Sequence, residues 1–163
     1  MNEQIIIRKV KEEDNFSIAQ MIKGVFEEHG APKIGTVYAD PSLYTLYQLF
    51  AVNKSVFWVA EKDNQIIGCC GIYPTEGLNF DTIELVKYYI PAAERGKGIG
   101  KKLMEKSILS AIEFGFKRIY LESIPHFSNA IGIYEKQGFQ KLKGPLGNSG
   151  HSSCNIWMLK ELD

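Results

Sequence analysis

The densest chemistry in the chain lies in six consecutive residues, Arg95-Gly96-Lys97-Gly98-Ile99-Gly100. Ile90-Pro91 ends a predicted strand just upstream, and an apolar helical pattern begins at Ile99. Glycines let the backbone turn tightly and aim several N–H groups at one anion. A helix N-terminus adds partial positive charge there, and Arg95, Lys97, Lys101 and Lys102 add full charges. That combination suits a diphosphate. Two common nucleotide patterns fail, because a P-loop and a dinucleotide fingerprint both require a last glycine where Lys101 stands. The plain alternative is a glycine-rich turn carrying solvated lysines.

Other reactive side chains are sparse. Cys69, Cys70 and Cys154 show no C-x-x-C spacing, and the first two are neighbours in a predicted strand, pointing to opposite faces. An odd count of unpaired thiols suits a reducing cytoplasm. No His/Cys spacing suggests a metal, so none is expected. His29, His126 and His151 are scattered, and His151 stands out only because it sits in a Gly/Ser-rich stretch, Gly144–Ser153. Nineteen basic residues balance nineteen acidic ones, which argues against nucleic acid as the main partner. Ile5-Ile6-Ile7 is too brief for a signal peptide, and no run approaches the ~20 apolar residues of a membrane span. The expectation is a cytoplasmic protein of one domain, residues 1–163, with no membrane contact.

The elements that must position this chemistry follow from periodicity. Gln4–Val10 reads as a strand, and a helix follows with Glu12, Glu13 and Asp14 at its positive end and Gly30 at its stop. A loop, Ala31–Asp40, precedes a short helix opened by Pro41-Ser42 and carrying Leu43, Leu46, Tyr47 and Phe50. Ser55–Glu61 and Gln65–Tyr73 form a hairpin around Asp63-Asn64. A strand at Thr82–Ile90, a helix at Ile99–Phe114, a strand at Arg118–Ile124 and a helix at Asn129–Lys136 come next. Strands near Phe139–Lys143 and Asn155–Leu159 end the chain. The order β-α-α-β-β-β-α-β-α-β-β predicts an α+β fold with a mixed, largely antiparallel sheet flanked by helices.

Two segments together resemble a known family. Ile90-Pro91-Ala92-Ala93-Glu94-Arg95-Gly96-Lys97-Gly98-Ile99-Gly100 is similar to the GNAT N-acetyltransferase pattern of strand end, Pro, short turn and Arg/Gln-x-x-Gly-x-Gly/Ala. Asn129-Ala130-Ile131-Gly132-Ile133-Tyr134-Glu135-Lys136-Gln137-Gly138-Phe139 resembles the second GNAT signature, and the resemblance runs from Ile5 to Leu159. It implies a GNAT-type sheet and an acetyl-CoA cosubstrate lying where Thr82–Ile90 and Arg118–Ile124 splay apart. Backbone groups of Tyr88, Tyr89 and Ile90 would then pair with the pantetheine arm. Asn129 would hold the same arm, and Arg95, Gly96, Lys97, Gly98, Ile99, Gly100 and Lys101 would cradle the diphosphate.

The resemblance further implies Glu84 as the base that removes the acceptor's ammonium proton. A free Glu, at ~4.3, falls about six units short of a lysine-like ammonium at ~10, a gap of roughly 8 kcal/mol. Glu84 therefore needs a raised pKa, a depressed acceptor pKa or a water relay; the plain alternative is an ion-pair partner of Lys87. Tyr134 matches the tyrosine placed by the cofactor sulfur, where hydrogen-bonding the leaving thiolate is its larger role. Ala31–Tyr47 and Gly144–Ser153 would line the acceptor cleft, with Tyr38 and His151 as acceptor contacts. The loop from Asn148 to Ser153 reads equally as a solvated hairpin loop. The implied reaction is acetyl transfer to a primary amine of a small molecule or a protein, by direct attack in a ternary complex. A non-catalytic module that senses acyl-CoA is the rival reading, and GNAT proteins are often dimers, which leaves room for a homodimer.

Overall fold

Alternation along the inner strands sorts the apolar side chains into two layers. In β2 (Val56–Lys62), Val56 and Ala60 enter one core while Phe57 and Val59 enter the other. In β3 (Gln65–Tyr73), Cys70 and Ile72 join the first core and Cys69 the second, so the adjacent thiols face opposite ways. These strands belong to a computed structural model that describes residues 4–162. The single-domain expectation also covers residues 1–3 and 163, which lie outside the described residues.

The remaining elements are β1 (Ile5–Lys9), α1 (Asn15–Glu28), α2 (Leu46–Leu49), β4 (Thr82–Tyr89), α3 (Ile99–Glu113), β5 (Arg118–Ser123), α4 (Ser128–Lys136), β6 (Gln140–Lys141) and β7 (Ile156–Glu161). They form a seven-stranded sheet in the order β1-β2-β3-β4-β5-β7-β6. Among the described residues only β4 and β5 pair in parallel, and the other five pairings are antiparallel. The first core is closed by α3 and α4 through Leu103, Met104, Ile131 and Tyr134. The second is closed by α1 through Ile18, Ile22 and Phe26, and by Val37, Leu43, Leu46 and Phe50. The architecture is the mixed α+β sheet that the element order predicts.

Three local departures have physical causes. Glu12–Asp14 form a single 3-10 turn ahead of α1 rather than its first turn. Asp14 is buried there, held by the Arg8 guanidinium at 2.8 Å and by the Lys11 N–H at 2.7 Å. The expected helix after Pro41 breaks at Thr45 into a 3-10 turn, Pro41–Tyr44, and α2. Its second half is capped from outside: the Tyr47 N–H donates to the Asn15 side chain at 2.9 Å. The strand expected at Phe139–Lys143 shrinks to two residues, because Phe139 is buried in the core and its N–H closes α4 onto Tyr134 O at 3.0 Å.

Two features shape the site. Pairing between β4 and β5 runs through Thr82–Arg118, Ile83–Ile119 and Glu84–Tyr120, and then stops. On its other edge β4 carries a bulge, with Lys87 at φ 56° and the register to β3 shifting between Cys69 and Gly71. Beyond Glu84 the two parallel strands diverge. The segment 144–153 lies in the connection between β6 and β7, and it is anchored at several points although most of its residues are exposed. Asn148 N–H donates to Glu76 O at 2.7 Å, Leu146 N–H to the Tyr120 hydroxyl at 3.0 Å, and Ser153 N–H to Gly35 O at 3.0 Å.

Candidate active site

The divergence of β4 and β5 opens a cavity of about 660 Å³ that runs from the N-terminus of α3 to the loops at the sheet's second face. At the α3 end, Gly96 and Gly98 take φ values of 79° and 81°, and Gly98 is the residue from which the helix starts. A Cβ at either position would meet nothing within 4 Å, so it is the left-handed backbone that calls for glycine there. Gly100 is different: a Cβ would collide with the Tyr88 hydroxyl, so its reason is close approach. Arg95 is fixed by Nε donating to Ile90 O at 3.0 Å and by an ion pair with Glu28 at 3.2 Å. Arg95, Gly96, Gly98, Ile99, Gly100 and Lys101 all border the cavity. Lys97 does not; its ammonium pairs with Glu94 at 3.3 Å.

Along the cavity's length lie Tyr88, Tyr89 and Ile90 on the unpaired edge of β4, with Asn129 and Tyr134 from α4 opposite. Tyr134 is buried, with its ring 5.7 Å from Tyr88 and 5.8 Å from Phe139. Burial holds its phenol protonated well above the usual range. Its hydroxyl is therefore a hydrogen-bond donor, and a poorer acid than the same group in water.

At the far end stands Glu84, only 3% exposed. Strand parity explains its position: Ile83 and Leu85 enter the first core, so Glu84 must point to the second face. Tyr120 and Glu122 on β5 share that face, flanking Leu121 of the first core. The polar loops 31–45 and 144–155 close this end, with Thr36, Val37, His151 and Cys154 at the cavity wall. Burial pushes the Glu84 carboxyl up to about 7; a hydrogen bond from the Thr75 hydroxyl opposes the shift, and the charge of Glu122 adds to it. Lys87, also buried, has its ammonium pKa pushed down by desolvation. No ion pair between Lys87 and Glu84 forms among the described residues; Lys87 acts on Glu84 through space only.

Several neighbours escaped the sequence reading. The Glu122 carboxylate accepts from the Tyr120 hydroxyl at 2.7 Å and from the Ser149 hydroxyl. His151 bonds Asp40 through Nε2 at 2.8 Å. Glu122 had a faint signal, a carboxylate directly after the apolar run Ile119-Tyr120-Leu121, whereas Asp40 and Thr75 had none. Of the two expected acceptor contacts, His151 borders the cavity and Tyr38 does not. Tyr38 donates to Glu27 at 3.1 Å and packs its ring 5.9 Å from Phe26, with the Lys23 and Lys33 ammonium groups each 5.1 Å away. Tyr44 and Tyr47 are also absent from the wall.

The fold has close counterparts. Residues 22–139 match the family model described as Acetyltransferase (GNAT) family. The chain is 40% identical over 159 residues to the uncharacterized N-acetyltransferase YjgM of Escherichia coli (strain K12), spanning 96% of this chain and 95% of that protein. The crystal structure of a GNAT-family acetyltransferase from Staphylococcus aureus Mu50 superposes with a TM-score of 0.87 at 24% identity, covering 98% of this chain and 100% of the other. The structure of yncA from Salmonella typhimurium, described with its cofactor acetyl-CoA, gives 0.71 at 20% identity over 98% and 95% of the two chains. With its motifs, its diverging strands and these relatives in agreement, the chain belongs to the GNAT family of acetyltransferases.

Proposed function

We propose that the protein transfers the acetyl group of acetyl-CoA to a primary amine by direct attack in a ternary complex, with Glu84 as the base. The observation that carries the reading is the position of Glu84 at the last paired rung of β4 and β5, buried and bordering the cavity. The diphosphate fits the N–H groups and charge of Arg95–Lys101, and the pantetheine arm fits the unpaired β4 edge at Tyr88, Tyr89 and Ile90 beside Asn129. The reactive thioester then lies toward Glu84 and Tyr134.

The chemistry balances as follows. The acceptor nitrogen loses a proton to Glu84, its lone pair forms a bond to the thioester carbonyl carbon, and the carbon–sulfur bond breaks. The thiolate leaves, hydrogen-bonded by the Tyr134 hydroxyl, and takes up the second proton that the nitrogen sheds as the amide forms. A carboxyl at about 7 narrows the gap to a lysine-like ammonium to about three units, or ~4 kcal/mol, half the cost facing a free glutamate. Glu84 and Glu122 make the acceptor end acidic, which favours an ammonium-bearing substrate over a neutral or anionic one. The unbridged Cys69, Cys70 and Cys154 suit a reducing cytoplasm.

Thiol release from acetyl-CoA across a panel of amines tests the reading. Turnover with at least one amine, lost in Glu84→Gln while acetyl-CoA still binds, supports it. Binding of acetyl-CoA without turnover on any amine would favour the acyl-CoA-sensing alternative.

A further inference from the structure

The acceptor end of the cavity gathers more ligand chemistry than acetyl transfer requires. Glu122, His151 and Cys154 each offer one donor atom, and these three atoms lie within 4.8 Å of one another. They represent three different donor types, a carboxylate oxygen, an imidazole nitrogen and a sulfur, all on half-buried side chains. Such a mixed set suits a borderline-soft divalent cation, not the all-oxygen shells preferred by magnesium and calcium. Zinc bonds of about 2.0–2.3 Å place tetrahedral donors roughly 3.5 Å apart, so closure asks for a contraction of about 1 Å.

We propose that Glu122, His151 and Cys154 form a three-ligand site for a zinc-class divalent cation, with the fourth position facing the cavity. Independent support comes from what surrounds the ligands. His151 Nε2 bonds Asp40 Oδ2 at 2.8 Å. In a neutral imidazole, an Nε2–H donated to the Asp40 carboxylate leaves the Nδ1 lone pair for a metal. This carboxylate–histidine pairing is the support that metal-bound imidazoles ordinarily have. Glu122 is oriented in the same manner by the hydroxyls of Tyr120 and Ser149. His151-Ser152-Ser153-Cys154 also has ligand spacing, closed by Cys154 N–H donating to His151 O at 3.1 Å. The sequence expectation of no metal passed over that pair.

Binding displaces the Cys154 thiol proton to solvent and leaves a thiolate, an imidazole and a carboxylate on the cation. The charges then balance, two negative ligands against a dication. Because Glu122 also borders the acceptor end, a bound cation and an ammonium acceptor exclude one another.

The test needs neither acetyl-CoA nor an acceptor, so it stands apart from the proposed transfer reaction. Metal-stripped protein is titrated with Co²⁺ alone, followed by absorption, and with Zn²⁺ alone, followed by calorimetry. The expected result is one equivalent bound at micromolar concentration or tighter, a thiolate-to-cobalt charge-transfer band, and no competition from Mg²⁺. Cys154→Ser should abolish the band. His151→Ala should weaken Zn²⁺ at least tenfold, and Asp40→Asn by roughly 10–100-fold through its hold on the imidazole. Absence of saturable binding overturns the site. So does binding by the unmodified protein without a charge-transfer band, a result that does not depend on any variant folding.

Discussion

The two ends of the cavity are built in opposite ways. At the α3 end, the groups proposed to hold the diphosphate come from one short stretch, are largely exposed, and consist mainly of backbone N–H groups and surface cations from Arg95 to Lys101. At the Glu84 end, the groups come from β4, β5 and two loops more than a hundred residues apart, joined by bonds such as His151–Asp40. There the side chains are buried or half-buried, and the proton affinities of Glu84 and Lys87 are moved. A diphosphate is the same in every acyl-CoA, so a local, repeatable nest suffices for it. An acceptor must be selected and deprotonated, which takes desolvation and charges that only tertiary structure can arrange.

Substitutions should separate the two ends, and the largest effect belongs to the buried one. Glu84→Gln should lower turnover by roughly 10²–10⁴ near neutral pH while leaving acetyl-CoA affinity unchanged, as read by steady-state kinetics and calorimetry. Since the base must be unprotonated, the wild-type rate should climb as pH rises through about 7. The defect of Glu84→Gln should shrink at alkaline pH, where more acceptor is already neutral. Gly98→Asp should act at the other end, putting a negative side chain on a left-handed residue at the helix start. It should weaken acetyl-CoA about a hundredfold, near 2.7 kcal/mol, in calorimetry; equal affinity would remove the diphosphate from this loop. Tyr134→Phe should cost roughly tenfold in turnover, the loss of about one hydrogen bond, and spare acetyl-CoA binding. His151→Ala is the mildest: a severalfold rise in acceptor KM at constant acetyl-CoA KM. A change in both constants would show that the ends are not separable.

The same contrast governs what the sequence disclosed. Gly96 and Gly98 are legible because a local left-handed backbone leaves glycine as the fitting residue, and the Ile99 helix pattern fixes their position; Gly100 owes its glycine to the close approach of Tyr88. Strand parity puts Glu84 opposite Ile83 and Leu85, but nothing local says that β4 leaves β5 at that rung. The Lys87 bulge carries no sequence mark, since a positive φ at lysine is imposed by the sheet. Tyr38 had the right chemistry in the right segment, yet its hydroxyl turned to Glu27 and Thr36 and Val37 took the wall. The 144–153 stretch reads as solvent loop by composition and stays largely exposed, yet bonds to Glu76, Tyr120 and Gly35 anchor it, and His151 reaches the cavity wall.

Where β4 parts from β5, the proposed base Glu84 is a buried carboxyl whose proton affinity is raised toward neutrality. Carboxyl NMR of glutamate-labelled protein, titrated with pH, measures this directly, and the signal lost in Glu84→Gln assigns the resonance. The expected midpoint for Glu84 is about 7. A midpoint at the ordinary value of 4.5 would contradict it and return Glu84 to the role of a structural strand residue.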